Sequence, residues 1–242
     1  MKKKIAALSM AACMAASVTA CGGSKPAETT AAATEAETTA AESAAEESSA
    51  EETKAAADIE TVTPGKLTVA TSPDFAPYEF YAIGEDGTPK LAGFDMDLAQ
   101  YIADYLGLEL EVVTVDFDGV ISELQTKSVD LGMAGLSPDE KRMGIMDFSD
   151  LYYMGGQSIV TVKDNAEKYN SFEAINKPDV SVGAQVGSIQ MDLANENSPE
   201  ADIVGLPKVT DIISELLTGK MDAAYIETDV AKSYQKNYPE LT

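Results

Sequence analysis

The chain has 242 residues, with 17 basic and 41 acidic side chains, no His, no Trp and two cysteines, Cys13 and Cys21. A formal charge of −24 argues against a nucleic-acid partner, because phosphate backbones bind to basic surfaces. Without His, and with both cysteines near the start, the sequence lacks the usual neutral-pH base and any zinc-ligand set, so we expect no metal and no cofactor.

The first twenty residues have the pattern of a secretory signal peptide. MKKK precedes the apolar run IAALSMAACMAASVTA, which is too short to span a membrane. The run ends in SVTACGG, which resembles a bacterial lipobox, where the signal is cut before Cys21 and that thiol carries a lipid. The alternative is an ordinary cleavage site followed by an incidental Cys. We expect residues 1–20 to be removed and Cys21 to anchor the chain to the outer face of the cytoplasmic membrane.

The next segment is acidic and has almost nothing to bury. Residues 22–57 are nearly all Ala, Glu, Thr and Ser. Ordering such a segment costs more conformational entropy than its burial could offset. We therefore predict that residues 21–57 are a lipidated Cys21 followed by a disordered tether, and that the folded part begins at residue 58.

Strands and helices are predicted to alternate from residue 65 onward. The first half predicts strand KLTVAT (66–71), a helix with Asp95 as N-cap and Gly107 as its end, strand ELEVVTV, helix DGVISELQTK and strand VDLGMAG. After QSIVTVK, the second half predicts strand DVSVGA, helix SIQMDLANE, strand ADIVGL, helix VTDIISELLTGK, strand MDAAYIE and helix TDVAKSYQKNY. This alternation predicts an α/β fold with mostly parallel sheets flanked by helices.

Two helix–strand segments resemble each other. Residues 121–135 (ISELQTKSVDLGMAG) and 213–227 (ISELLTGKMDAAYIE) share Ile, Ser, Glu, Leu, Thr and Asp at equivalent positions. The likeness reflects either a repeat or the general similarity of such units. In both cases a strand ends at Gly135 and another at Glu227. Ligands of open α/β sheets bind at the carboxyl ends of strands, so we expect two lobes, 58–154 and 155–242, to face each other across a cleft.

Arg142 is the single arginine of the chain and lies in GLSPDEKRMGIMDFS. Ser137, Pro138 and Glu140 fit the N-cap, N1 and N3 positions of a capping box, which predicts a helix beginning after Ser137. An anion at that helix start would meet backbone N–H groups together with a guanidinium, whose planar fork suits a carboxylate. A solvated Arg142 on a surface helix is an equal alternative.

Each of the other candidate ligand-binding residues, considered by itself, has a structural interpretation as well as a binding one. Gly187 and Ser188 lie in a strand–turn–helix connection that could present N–H groups to an anion. Glu227 ends a buried strand, where it could hold an ammonium group or simply begin the next helix. Phe75 and Phe117 each follow a predicted strand and fit either the core or a binding surface.

The order of four segments along the chain indicates a protein family more specifically than any single residue does. VATSPDFAPYEF, GFDMDLAQYIADYLG, VDFDGVISELQTKSVDLGMAGLSPDEKR and MDFSDLYY occur in sequence. Over about residues 65–240 this pattern resembles the polar amino-acid family of bacterial extracellular solute-binding proteins. The resemblance implies a type II periplasmic-binding-protein-like fold, whose two α/β lobes close on one free amino acid. It also implies a monomeric, non-catalytic lipoprotein that delivers the amino acid to the permease of an ABC importer.

The resemblance implies a role for individual residues. Arg142 would bind the α-carboxylate of the amino acid, and Glu227 stands where the family has an acidic residue for the α-ammonium. Ser137 and the Gly135 carbonyl would contribute from the first lobe, and the turn at Gly187 would donate N–H groups from the second. The complete substrate-binding set is Ser72, Phe75, Phe117, Gly135, Leu136, Ser137, Arg142, Gly187, Ser188, Ile189 and Glu227.

Two positions depart from the family pattern. Asp139 falls where relatives often have a threonine that caps the helix, which would start this helix later than Ser137. Family members return to the first lobe after the second, whereas this sequence ends at Thr242. We therefore expect the C-terminal part of the first lobe to be missing from it.

Two other functions fit the same fold. A cyclohexadienyl or arogenate dehydratase-like enzyme would use the arginine with Glu227 as acid catalyst, and a ligand-sensing module would belong to a larger receptor. The sequence has no His and no nucleophile–base pair, so we predict that it is not an enzyme. The identity of the bound amino acid is not readable from the sequence, although the negative charge mildly attracts cationic ligands.

Overall fold

A computed structural model of the chain describes residues 59–242. The predicted signal peptide, Cys21 and the tether to residue 57 lie outside the described residues. None of the helices in the described part combines the length and the apolar character that crossing a bilayer requires.

The described residues alternate between strands and helices as the sequence predicts, with an additional antiparallel region. In chain order they form β1 (Lys66–Thr71), β2 (Asp74–Phe75), β3 (Glu79–Ile83), β4 (Pro89–Ala92), α1 (Phe94–Leu106), β5 (Glu109–Thr114), α2 (Phe117–Gln125), β6 (Leu131–Gly132), α3 (Glu140–Met143), β7 (Gln157–Val160), α4 (Phe172–Ile175), β8 (Ser181–Gln185), α5 (Ile189–Asn197), β9 (Asp202–Leu206), α6 (Val209–Leu217), β10 (Ala223–Glu227) and α7 (Thr228–Asn237). We refer to residues 66–143 as the first half and to residues 157–242 as the second half.

Each half is built on a mainly parallel sheet. In the first half, the buried strand β1 lies between β5 and β6, and all three run parallel. In the second half the order is β7-β10-β8-β9, with β7 antiparallel to β10 and the other pairs parallel. The predicted α/β class is confirmed. A small antiparallel sheet, β2-β3-β4, was not predicted.

Helices cover both faces of the two parallel sheets. Val69 of β1 packs against α1 through Met96 and Ala99, whereas the next residue, Ala70, packs against Phe117 and Val120 of α2. The second half repeats this arrangement. On one face of its sheet, Val182 and Ala223 pack with Ala194 of α5. On the other face, Ala224 and Ile226 pack with side chains of α6 and α7, which are Ile212, Leu216 and Val230. The alternation of strand side chains between the two faces explains the near-continuous apolar runs of these strands.

Two predicted helix starts are wrong. Helix α1 has Gly93, not Asp95, at its N-cap, because Gly93 has a φ of 130° and a side chain there would clash with the Tyr78 carbonyl. Helix α3 is capped by Asp139, whose carboxylate accepts the Arg142 N–H at 2.8 Å, rather than by Ser137. The predicted capping box from Ser137 therefore starts the helix too early, and α3 is a single turn.

Candidate functional site

Two adjoining cavities lie between the two halves, at the carboxyl ends of β6 and β10. The small cavity has a volume of about 20 Å³, and the large cavity, which shares part of its lining, about 120 Å³. Seven predicted site residues line the small cavity: Phe75, Phe117, Gly135, Ser137, Arg142, Ile189 and Glu227. Leu136 lines the large cavity.

Arg142 is buried, with 6% of its surface exposed, so it is not a solvated surface arginine. Its terminal nitrogens donate to the Ser137 carbonyl at 2.8 Å and, across the cleft, to the Gly187 carbonyl at 2.9 Å. Its Nε lies 3.2 Å from the Asp139 carboxylate, and its guanidinium lies 5.7 Å from the centre of the Phe117 ring. Burial lowers the pKa of Arg142, but a guanidinium stays charged in proteins. Each terminal nitrogen has a second N–H, so the group can still bind a carboxylate.

Glu227 both caps a helix and faces the cavities. Its Oε2 accepts the N–H groups of Asp229 and Val230 at 2.7 and 2.8 Å, which caps α7. Its Oε1 is buried and has no hydrogen-bond partner among the described residues. Burial raises the pKa of Glu227, because a charge is costly in a low dielectric, and the N–H groups that the carboxylate accepts offset only part of this cost. The interpretation that Glu227 begins the next helix is confirmed, whereas its pairing with a ligand ammonium group stays a prediction.

An aromatic wall adjoins these two charged groups. Phe75 stacks on Tyr78 with ring centres 5.7 Å apart, and Tyr78 meets the Tyr153 ring edge-on at 5.5 Å. Tyr78 and Tyr153 line the large cavity together with Tyr152. Phe75 and Phe117 each belong to a hydrophobic core cluster and also line the small cavity.

The side chains of two predicted site residues, Ser72 and Ser188, line neither cavity. The Ser72 hydroxyl donates to the Asp74 carboxylate at 3.2 Å and lines a separate depression with Lys208. The Ser188 hydroxyl donates to the Gln185 carbonyl at 2.7 Å and caps α5.

The Gly187–Ser188–Ile189 turn makes one contact that was not expected, and its N–H donation to an anion stays a prediction. The Gly187 carbonyl, rather than an N–H group, contacts Arg142. The Ser188 N–H donates to Gln185 at 3.2 Å. Ile189 is the first residue of α5, so its N–H has no acceptor within the helix and can serve an anion in the small cavity.

Three glutamines were missed by the sequence interpretation. Gln157, Gln185 and Gln190 line the small cavity, and the Gln190 amide donates to the Gln157 oxygen at 2.8 Å. Gln157 lies opposite Glu227 in the antiparallel pair of β7 and β10. No local signal marks Gln157, because its position depends on that pairing.

Several polar contacts join the two halves beside the cavities. The Asp74 carboxylate accepts the N–H of Val209, at the start of α6, at 2.5 Å, and the Tyr234 hydroxyl donates to the Asp74 carbonyl at 2.7 Å. Lys208 lies 3.6 Å from the Asp116 carboxylate in a more exposed pair. Asp74 thus caps a helix of the second half from a strand of the first.

Replacing Asp74 with Ala is expected to lower the free energy of unfolding by about 1 kcal/mol, the usual contribution of a helix N-cap. Because the lost bond joins the two halves, ligand affinity should also fall, by about fivefold. Chemical denaturation and calorimetry measure the two effects. Asp74→Asn, which can still accept the N–H, and Asp116→Ala, at the exposed pair, serve as controls. Equal losses in all three variants would contradict the assigned role.

Comparison with known proteins identifies relatives over most of the described part. Residues 67–240 match the family model of bacterial extracellular solute-binding proteins, family 3. The arginine-binding extracellular protein ArtP of Bacillus subtilis is 36% identical over 178 residues, which cover 73% of this chain and 66% of ArtP. Cyclohexadienyl dehydratase of Pseudomonas aeruginosa is 29% identical over 177 residues, 73% of this chain and 65% of the relative. The chain therefore spans just under two thirds of the length of these relatives.

A solved structure supports the same relationship. The amino acid ABC transporter substrate-binding protein AbpA of Streptococcus pneumoniae, bound to L-arginine, superposes with a TM-score of 0.71. It is 36% identical, and the match covers 74% of both chains.

Proposed function

The chain belongs to family 3 of the bacterial extracellular solute-binding proteins, and we propose that it captures a free amino acid between its two halves without transforming it. One observation carries this proposal. Arg142, with unused N–H groups, and Glu227, with one oxygen that has no partner among residues 59–242, line the same small cavity. A zwitterionic amino acid would place its carboxylate at Arg142 and its ammonium at Glu227, so that each buried charge is paired.

The remaining contacts follow from this orientation of the ligand. The Ile189 N–H and Ser137 would complete the α-carboxylate site, and the Gly135 carbonyl would accept a hydrogen bond from the ammonium. Phe75 and Phe117 would pack on the ligand's apolar part. Charge-assisted hydrogen bonds contribute about 1.5–3 kcal/mol each, so several of them with aromatic packing support micromolar affinity, which requires about 8 kcal/mol.

We further propose that the preferred ligand is a cationic amino acid such as arginine. ArtP is named for arginine binding and AbpA was crystallised with L-arginine. The large cavity, into which a long side chain would extend, is lined by Asp150, Glu227 and three tyrosines, and none of its lining residues is basic. Carboxylates attract a guanidinium, and tyrosine rings bind it through their π faces.

The complete protein would deliver this ligand to the permease of an ABC importer. The lipobox-like SVTACGG at Cys21 supports a lipid anchor at the outer face of the membrane after removal of residues 1–20. We propose residues 58–154 and 155–242 as the two lobes of a monomer whose closure would signal ligand occupancy.

Enzymatic dehydration is the second candidate, because one relative is named a cyclohexadienyl dehydratase. The raised pKa of Glu227 would suit an acid catalyst. Against this, one Glu227 oxygen is committed to capping α7, and Glu227 lines the small cavity together with Arg142. Incubation with prephenate or arogenate should therefore yield no product.

A thermal-shift screen of the twenty amino acids and cystine tests the proposed function. Arginine should raise the melting temperature most, because it is the proposed preferred ligand. A ligand at 100 times its Kd stabilises the folded state by about 2.7 kcal/mol. Calorimetry then gives the affinity of each ligand that shifts the melting temperature. A folded protein that responds to none of the amino acids would contradict the proposal, and a response to neutral amino acids alone would contradict the cationic preference.

A further inference from the structure

Two carboxyl groups are buried side by side behind the cavity wall. Glu79, the first residue of β3, and Asp95, the second residue of α1, both have 0% of their surface exposed. Among the described residues, neither oxygen of Glu79 has a hydrogen-bond donor. The neighbouring polar group is another acceptor, the Asp95 carboxylate.

Asp95 is connected to the cavity by both of its oxygens. Oδ2 accepts the Gly135 N–H at 2.9 Å, and Oδ1 accepts the Tyr152 hydroxyl at 3.0 Å. Its backbone N–H donates to the Tyr78 carbonyl at 2.9 Å. Gly135, Tyr152 and Tyr78 all line the large cavity. The site therefore includes a carboxylate that contacts its wall from behind.

Within residues 59–242, no basic side chain forms an ion pair with either carboxyl group. Asp74 of β2 and the Tyr152 hydroxyl are the other titratable groups that act on the pair, and Asp74 adds a further negative charge. Two adjacent buried carboxyl groups without a cation do not both ionise, because each disfavours the charge of the other.

The hydrogen bonds indicate which group keeps the proton. Asp95 accepts a hydrogen bond at each oxygen, which favours its ionised form. In the described part of the chain, Glu79 has only the Asp95 carboxylate as a hydrogen-bond partner, and a hydrogen bond between two carboxyl groups requires a proton on one of them. Burial, Asp95 and Asp74 raise the pKa of Glu79 well above its ordinary value.

We propose that Glu79 is protonated at neutral pH and donates an O–H hydrogen bond to the Asp95 carboxylate, and that this carboxyl pair positions Gly135 and Tyr152 at the ligand cavity. Glu79 and Asp95 are positioning residues in this proposal, since neither touches the ligand. The protonation itself is independent of the proposed function; only its consequence for affinity rests on that function.

The proton on Glu79 makes the free energy of unfolding depend on pH. The folded state keeps a proton on Glu79 that the unfolded chain loses above about pH 4.5, the ordinary glutamate value. Stability from this proton is complete below that pH and declines as pH rises towards the folded pKa. In this pH range the folded state binds one proton more than the unfolded chain. The folding equilibrium constant therefore falls about tenfold per pH unit.

Glu79→Gln tests the proton directly, because an amide donates a hydrogen bond at every pH. Denaturation is measured between about pH 5 and pH 9 for the wild type, this variant and Glu85→Gln, an exposed control. The wild type and the control should lose stability with a slope about one proton steeper than Glu79→Gln. Equal slopes for the wild type and Glu79→Gln would overturn the proposal.

Infrared spectroscopy provides a measurement that does not depend on how the variant folds. The ligand-free wild type at about pH 7.5 should show the C=O stretch of a protonated carboxyl group, since a buried glutamic acid keeps its proton there. Absence of any such band from the folded wild type would overturn the proposal. Where Glu79→Gln folds, its spectrum should have lost this band, whereas that of Glu85→Gln should retain it.

The positioning role is tested at Gly135. Asp95→Ala leaves both the Gly135 N–H and the Tyr152 hydroxyl without an acceptor, so hydrogen exchange of the Gly135 amide should accelerate about tenfold or more. In Glu79→Gln this exchange should stay within about twofold of the wild type at pH 7. Unchanged exchange in a folded Asp95→Ala variant would overturn the positioning role. Because this measurement needs no ligand, its failure is distinguishable from failure of the proposed function.

Discussion

Replacing Arg142 with lysine is expected to lower the affinity for the amino-acid ligand about 100-fold, or about 3 kcal/mol, although the charge is kept. The guanidinium contacts Ser137, Gly187 and Asp139 while its remaining N–H groups are available to a carboxylate. A lysine ammonium has three donors at one point and cannot serve these acceptors and a bidentate ligand together.

Calorimetry with the ligand found by the thermal-shift screen measures this loss. Lys141→Ala is the matched control, since Lys141 is the adjacent basic residue and its pair with Asp192 is exposed on both sides. Exposed pairs contribute little, so the control should bind as the wild type does. If Arg142→Lys bound its ligand as tightly as this control, the assigned role of the guanidinium would be wrong.

Replacing Glu227 with glutamine is expected to weaken binding about 30-fold, or about 2 kcal/mol, without loss of stability. The glutamine oxygen can keep the cap on α7, at the N–H groups of Asp229 and Val230. Its NH₂ group then replaces the unpartnered Oε1 and presents donors to the ligand ammonium, which has only donors itself.

The comparison with Glu227→Ala separates the two functions of this side chain. Alanine should lose both the ligand contact and the cap, and so lower the free energy of unfolding by about 1 kcal/mol. Glutamine should lose the ligand contact alone. Because burial raises the pKa of Glu227, wild-type affinity should fall as acidification protonates the carboxylate, whereas the affinity of Glu227→Gln should not follow this titration. Wild-type affinity in Glu227→Gln would sink the ammonium-binding role.

The parallel sheets were predictable because their strands and helices have a strong local pattern. The predicted strand at residues 66–71 coincides with β1, and Gly107 ends α1 in the left-handed conformation as expected. The antiparallel sheet was not predictable in this way. Its strands have two to five residues in a segment rich in turns, and pairing with each other, rather than a periodic pattern, makes them strands.

The two wrong helix starts have a common physical cause. Asp95 and Ser137 are both good N-cap residues by type, and local sequence cannot show that another contact outweighs the cap. Gly93 is required by the close approach of the Tyr78 carbonyl, which leaves the Asp95 side chain free to accept from Gly135. Asp139 caps α3 while its second oxygen reaches the guanidinium of Arg142.

The site residues that the family pattern indicates lie mostly around one cavity, but their contacts were only partly foreseeable. Ser72 is turned to Asp74, a neighbour two residues away that offers a carboxylate. Gln157 and Gln190 enter the small cavity because β7 pairs with β10 beside α5, which is a property of the folded topology. Polar residues that strand pairing brings together have no characteristic spacing along the sequence, so a motif search does not find them.

The tyrosine-lined cavity gives this chain an intrinsic optical signal. The sequence contains ten Tyr and no Trp, so tyrosine dominates its ultraviolet fluorescence. Tyr78, Tyr152 and Tyr153 line the large cavity, and two of their hydroxyls are bonded to the carboxylates of Asp95 and Asp229. Carboxylate acceptors quench phenol emission, so an occupant that disturbs these bonds alters the light emitted. Occupancy of the cavity can therefore be followed in the unlabelled protein, free of the indole background that obscures tyrosine in most proteins.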